Sequence, residues 1–223
     1  MLNLYDYHST PKQLKGYKDR IKIIPKLAYI HAKSVIKGRW PEAEPYIKKN
    51  PEYAYRYARD IIKGRWPEAE PHIMKDPNFA FPYAKFVIKG RWPEAESIAI
   101  KDSAFAFNYA LDIIQGRWPE AEPVIMKDPW IAYMYAKFVI KGRWPEAESI
   151  MKDSDFAFNY AVNIIKGRWP EAEPYIKKNP EYAYMYVKHV IKGRWPEAEP
   201  YIKQDRDWWD VYLNFIHRDN LNA

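Results

Sequence analysis

Between Trp40 and Ile62 the apolar positions fall into two short helical stripes. Trp40, Ala43, Tyr46 and Ile47 form the first, and Ala54, Tyr57, Ala58, Ile61 and Ile62 the second, each at steps of three and four. Asn50-Pro51 separates them, a capping side chain followed by a residue suited to a first helical position. Upstream, Gly38 suits the left-handed residue that closes a preceding helix, and Pro41 suits a helix start. The pattern predicts helix A over Pro41 to Lys49 and helix B over Pro51 to Lys63. Tyr53-Ala54-Tyr55-Arg56-Tyr57 alternates like a strand when read alone, but the caps and the Ile61-Ile62-Lys63-Gly64 ending decide for helix.

This unit recurs. Gly-Arg-Trp-Pro-Glu-Ala-Glu begins at Gly38, Gly64, Gly90, Gly116, Gly142, Gly167 and Gly193, at intervals of 26, 26, 26, 26, 25 and 26 residues. Later copies start helix B at Asp76-Pro77, Asp102-Ser103, Asp128-Pro129, Asp153-Ser154 and Asn179-Pro180. A two-helix unit of this size buries neither face alone, so the expected fold is all-α, an α-solenoid of about eight stacked hairpins with capped ends.

With no linker between copies, residues 1–223 read as one elongated domain: a degenerate cap over 1–37, tandem repeats over 38–204 and a capping helix over 205–223. Gly16 is taken to open a shortened first copy. Trp208-Trp209-Asp210 aligns with Tyr182-Ala183-Tyr184, replacing a close-packing alanine by a large ring and an aromatic by a charge, as an end cap requires. Pro82 inside helix B removes a donor and is expected to bend or loosen that helix. The residue missing near Ser149-Ile150-Met151 is expected to distort one short helix A.

Composition narrows the chemistry. The chain has no cysteine, which removes disulfides and thiol catalysis. Its opening residues lack a signal-peptide layout and no stretch approaches a membrane span, so a cytoplasmic, membrane-free protein is expected. The net charge of +7 is concentrated: residues 1–38 hold eight Lys/Arg against Asp6 and Asp19, leaving the array near neutrality. That basic segment, with Lys12, Lys15, Lys18 and Arg20, is a candidate nucleic-acid contact.

Arg39, Glu42 and Glu44 recur in every full copy, yet two helical residues two apart point about 200° away from each other, so the acids do not converge. They read as structural, with the arginine bridging to a glutamate. The tryptophans Trp40, Trp66, Trp92, Trp118, Trp144, Trp169 and Trp195 share the stripe of Ala43 and Ile47 and read as core, against an alternative as a stacking platform for bases. Five histidines share no metal-binding spacing. No catalytic, cofactor or metal site is expected.

Recognition is expected where copies differ. At the places of Glu52, Arg56 and Asp60, one ridge of helix B, later copies carry Trp130, Met134 and Phe138, with Phe86, Asn108, Asn159, Met185 and His189 in the same columns. Exposed aromatic and flexible groups suit a protein-binding hot spot.

The seven Gly-Arg-Trp-Pro-Glu-Ala-Glu corners, followed by Asx-Pro-x-aromatic-Ala-aromatic helices, resemble a class of tandem helical-repeat proteins of bacteriophages and large viruses. The resemblance covers nearly the whole chain, brings no catalytic or binding residues with it, and implies a viral accessory protein that binds a host component such as a defence factor in the host cytoplasm. The expected function is a noncatalytic, monomeric protein-binding scaffold. Alternatives are a single-stranded nucleic-acid or nucleotide binder using the basic N-terminus and repeated aromatics, and a self-assembling rod.

Overall fold

The structure, a computed structural model, describes residues 11–219. These are all-helical, an α-solenoid of helix pairs repeating about every 26 residues, with no strand among the described residues. The chain forms two compact units, Met1–Lys101 and Asp102–Ala223. In the first, α1 (Pro11–Ile21) precedes α2 (Pro25–His31), α3 (Glu44–Ile47), α4 (Pro51–Tyr57), α5 (Glu70–Ile73), α6 (Pro77–Tyr83) and α7 (Pro93–Ala99). In the second run α8 (Ser103–Tyr109), α9 (Glu122–Ile125), α10 (Pro129–Tyr135), α11 (Pro145–Glu148), α12 (Ser154–Tyr160), α13 (Glu173–Ile176), α14 (Pro180–Tyr186), α15 (Glu199–Ile202) and α16 (Arg206–Asp219).

Within each unit the B helices stand side by side, α2, α4 and α6 in one and α8, α10, α12, α14 and α16 in the other. The short A helices form a second layer, α3, α5, α7, α9, α13 and α15 each leaning on the B helix that precedes it. Alanines let the B helices approach closely: Ala28, Ala54, Ala58, Ala132 and Ala136 are fully buried. Ile47, Ile73, Ile125, Ile176 and Ile202 fill the same place in five A helices and are likewise fully buried.

Helix A is shorter than its apolar stripe predicts, and a second proline explains why. In the copies reading Glu-Ala-Glu-Pro, the residue after the second glutamate has no N–H, so the ladder breaks there and regular helix starts only at Glu44, Glu70, Glu122, Glu173 or Glu199. The bond from Glu44 N–H to the Trp40 carbonyl still forms at 3.2 Å. Where serine replaces that proline, at Ser97 and Ser149, the helix starts at Pro93 and Pro145.

Helix B differs at its end. Seven B helices pass from α to π geometry over their last five residues, as at Ala58–Ile62 and Ala136–Ile140. The chain then turns through a left-handed residue that is not the glycine. Lys37, Lys63, Lys89, Gln115, Lys141, Lys166 and Lys192 carry φ of 56 to 60°, while no glycine has positive φ. The N–H groups of Lys63 and Gly64 both reach the Ala58 carbonyl, which fixes the turn one residue earlier than Gly64. Gly16 departs further, lying inside α1 rather than at a corner. At Pro82, α6 keeps the bounds of its siblings and runs on into its π segment over Ala84–Ile88.

Candidate interaction surface

The recurring polar residues are absorbed by the hairpin corners. Arg39 donates Nε to Glu44 Oε1 at 2.8 Å and Nη2 to Oε2 at 2.7 Å, and the same two-pronged pairing recurs in the other copies down to Arg194 and Glu199. The partner is thus the second glutamate of the corner, in the same hairpin. Glu44 also accepts from the Tyr57 hydroxyl at 3.0 Å, and that hydroxyl accepts from the Trp40 backbone N–H at 2.6 Å. The arginine holds the Glu44 carboxyl below the usual carboxylate range, with the Tyr57 bond helping it against burial. Burial, with the nearby carboxylate, pushes the Tyr135, Tyr160 and Tyr186 phenols up to about 12.

The tyrosine also joins copies. The Tyr57 ring lies 5.1 Å from that of Trp66 in the next hairpin, and Tyr135 to Trp144, Tyr160 to Trp169 and Tyr186 to Trp195 repeat the contact at 5.1 to 5.3 Å. All seven repeat tryptophans, Trp40, Trp66, Trp92, Trp118, Trp144, Trp169 and Trp195, are buried, which leaves no open ring face for a base to stack on. The indole N–H groups of Trp144 and Trp169 are buried and meet no acceptor among the described residues. At the last copy Trp209 stacks on Tyr212 at 5.3 Å within one helix, and Lys203 covers Trp209 at 4.6 Å. Trp208 packs on Tyr184 at 5.6 Å. This role for the tyrosine was legible in the sequence, since Tyr57, Tyr83, Tyr109, Tyr135, Tyr160, Tyr186 and Tyr212 never vary.

A second joint involves part of the variable ridge. In three copies the aromatic two residues before the tyrosine, or before His31 in the first, meets two positions of the next B helix: Tyr29 meets the Tyr53 ring and donates to Asp60, Phe158 meets Tyr182 and His189, and Tyr184 meets Trp208 and Phe215. Asp60 is saturated, accepting from the Tyr29 hydroxyl at 2.6 Å, Lys33 at 2.7 Å and Arg59 at 2.6 Å. Arg56 pairs with Glu52 at 2.9 Å. In this copy the ridge is therefore charged and internally paired.

In the second unit the ridge changes character. Trp130 is 50% exposed and Phe138 42% exposed, with half-buried Met134 between them on α10 and its π extension. The Trp130 ring leans on Tyr133 and Phe156 at 5.6 and 6.4 Å, and Lys137 lies over the Phe138 ring at 5.4 Å. The neighbouring α8 and α12 carry Asn108 and Asn159 at the place equivalent to Met134, and α14, one helix further, carries Met185 there and, on its π extension, His189 at that of Phe138. Asn108 and His189 are exposed, whereas Asn159 and Met185 are half-buried. Asn159 is occupied locally, its Nδ2 donating to the Asp155 carbonyl at 2.8 Å. Phe86 belongs to the first unit, where it is 52% exposed beside Lys85.

Among the described residues, no three His, Cys, Asp or Glu side chains converge as metal ligands would, and no helix is long and apolar enough to cross a membrane. Of the basic N-terminal cations, Lys22 pairs with Asp19 and Lys33 with Asp60, while the side chains of Lys12 and Lys15 lie outside the described ones. Compared with known proteins, the chain matches no family model, no curated protein and no solved structure.

Proposed function

We propose that the chain is a noncatalytic protein-binding scaffold whose contact is the Trp130, Met134 and Phe138 strip on α10. The carrying observation is that two large aromatic side chains stand about half exposed on a ridge whose counterpart in an earlier copy is charged and paired. Every recurring arginine and second-glutamate pair is engaged at a corner, which supports a structural role for the invariant residues. Large rings beside a flexible methionine are what interface centres use. In the proposed setting of a viral accessory protein, the partner is a host protein.

The test is affinity capture from a host lysate with and without nuclease, using the parent and a Trp130→Ala/Phe138→Ala variant. A protein retained after nuclease and lost on the double substitution supports the reading; one retained equally by both removes the strip from it. A second reading, nucleic-acid binding through residues 1–38, draws on exposed Lys18, Arg20, Lys26 and Lys37, which form no ion pair among the described residues. It requires binding that weakens steeply with salt.

A further inference from the structure

The 25-residue copy leaves a gap in the A layer of the second unit. The intact serine copy forms helix from Pro93 to Ala99, but α11 stops at Glu148, and the chain leaves it through a tight turn in which Met151 N–H reaches only the Glu148 carbonyl, at 3.2 Å. Met151 still takes the buried place of Ile47. The residue is lost after it, and the following cap changes too: Asp102 accepts from Phe105 N–H at 2.9 Å, whereas Asp153 makes no side-chain cap. Between α11 and α13 this opens a crevice of about 250 Å³, lined by Glu148, Met151, Lys152, Trp169, Glu171 and Tyr175 among others.

The next joint of the same unit carries the same residue types in an intact copy. Lys177, ten residues beyond Gly167, lays its ammonium 5.4 Å from the ring centre of Tyr201, eight beyond Gly193. The corresponding pair across the crevice is Lys152 and Tyr175. Lys152 sits beyond the truncated helix, exposed, and does not cover Tyr175. Lys178 lies over the Tyr175 ring at 5.4 Å but does not line the crevice.

We propose that this crevice binds an alkylammonium group, replacing the lysine that the shortened copy withdraws. Aromatic rings attract cations through their faces, and the exposed Glu171 carboxylate adds to that attraction, whereas Glu148 is already held by Arg143. The methylenes of the ligand lie along Met151 and Ala172, as a lysine stem would. The group comes either from a free amine or from a lysine side chain of a peptide, and this site is separate from the strip on α10.

The experiment follows the Trp169 indole N–H resonance of the 15N-labelled full chain, assigned with Trp169→Phe. It titrates ethylammonium, and separately a blocked lysine, at constant ionic strength with potassium as control. Expected is a saturable shift with a dissociation constant in the low-millimolar range, lost in Tyr175→Leu and several-fold tighter in Lys152→Ala, which removes a like charge from the crevice wall. Inserting one lysine after Lys152 restores the 26-residue spacing and abolishes the shift. A response to blocked lysine alone assigns the site to peptides, and a response to both assigns it to the ammonium group itself. No saturable shift in the parent and in Lys152→Ala, or an equal shift in the insertion variant, overturns the proposal.

Discussion

Replacing Tyr135 by phenylalanine isolates the joint that holds neighbouring hairpins together. The ring and its 5.1 Å contact with Trp144 remain, and only the hydroxyl goes. That hydroxyl accepts from the Trp118 backbone N–H at 2.6 Å and donates to Glu122 Oε1 at 3.2 Å. A buried N–H left without an acceptor costs about 1–3 kcal/mol, and loss of the bond to Glu122 adds about 1 kcal/mol. The expected loss is therefore about 2–4 kcal/mol. For a chain of this size that lowers Tm by roughly 5–15 °C. The control is Tyr133→Phe, whose hydroxyl receives only Lys137 Nζ at 3.3 Å and whose change is expected within about 0.5 kcal/mol. Chemical denaturation of both variants, with amide exchange read at Trp118, makes the comparison. If Tyr135→Phe is as mild as Tyr133→Phe and Trp118 exchange is unchanged, the shared hydroxyl does not close the corner.

The same tyrosines set the alkaline limit. Their folded pKa values of about 12 exceed the ordinary phenol value of about 10, so the stability they contribute is complete below that value and is lost as pH rises from about 10 to about 12; denaturation free energies flat across that window would contradict this. His31 occupies the tyrosine's place in the first copy, only 8% exposed, its Nε2 unpartnered and its pKa lowered by burial and by Lys18. Its stability contribution is complete above about pH 6.5 and lost as pH falls below it, a slope that His31→Phe should flatten in urea titrations. Gly64→Ala is expected to stabilise by about 0.4–1 kcal/mol, because an added Cβ meets nothing within 4 Å and the backbone is not left-handed there. A loss of about 1–2 kcal/mol in its denaturation midpoint would restore the left-handed turn to the glycine. Trp130→Ala and Phe138→Ala, each about half exposed, should cost about 1 kcal/mol apiece in the same assay; much larger losses would make them core residues.

Much of the repeat was legible because its signals are local. Asn50-Pro51 and its relatives do start the B helices, and Asn50, Asp128 and Asn179 accept from the N–H groups their position predicts. The buried tryptophans followed from sharing a stripe with alanine and isoleucine. What misled was cooperative geometry. A glycine beside a helix end is read as the left-handed residue, but a π turn consumes one more residue and moves that conformation onto Lys63. The continuous stripe predicts a longer helix A than forms, because Pro45 breaks the bond ladder without disturbing the stripe. The shortened copy is expected to distort a helix and does so at α11, but the crevice between Lys152 and Tyr175 depends on a neighbour one period away. The ridge columns were visible, while the pairing of Asp60 with Tyr29 and Lys33 needed the stacked arrangement to appear.

The direct test of the binding strip is a photoreactive side chain placed on it. Met134→p-benzoylphenylalanine, on the ridge between Trp130 and Phe138, is compared with the same substitution at exposed Glu120, in host cells irradiated and then lysed with nuclease. Expected is a discrete protein adduct from position 134 that position 120 does not give, and that is lost with Trp130→Ala/Phe138→Ala. The same adducts from both positions, or none from position 134, would contradict a protein-binding strip on α10.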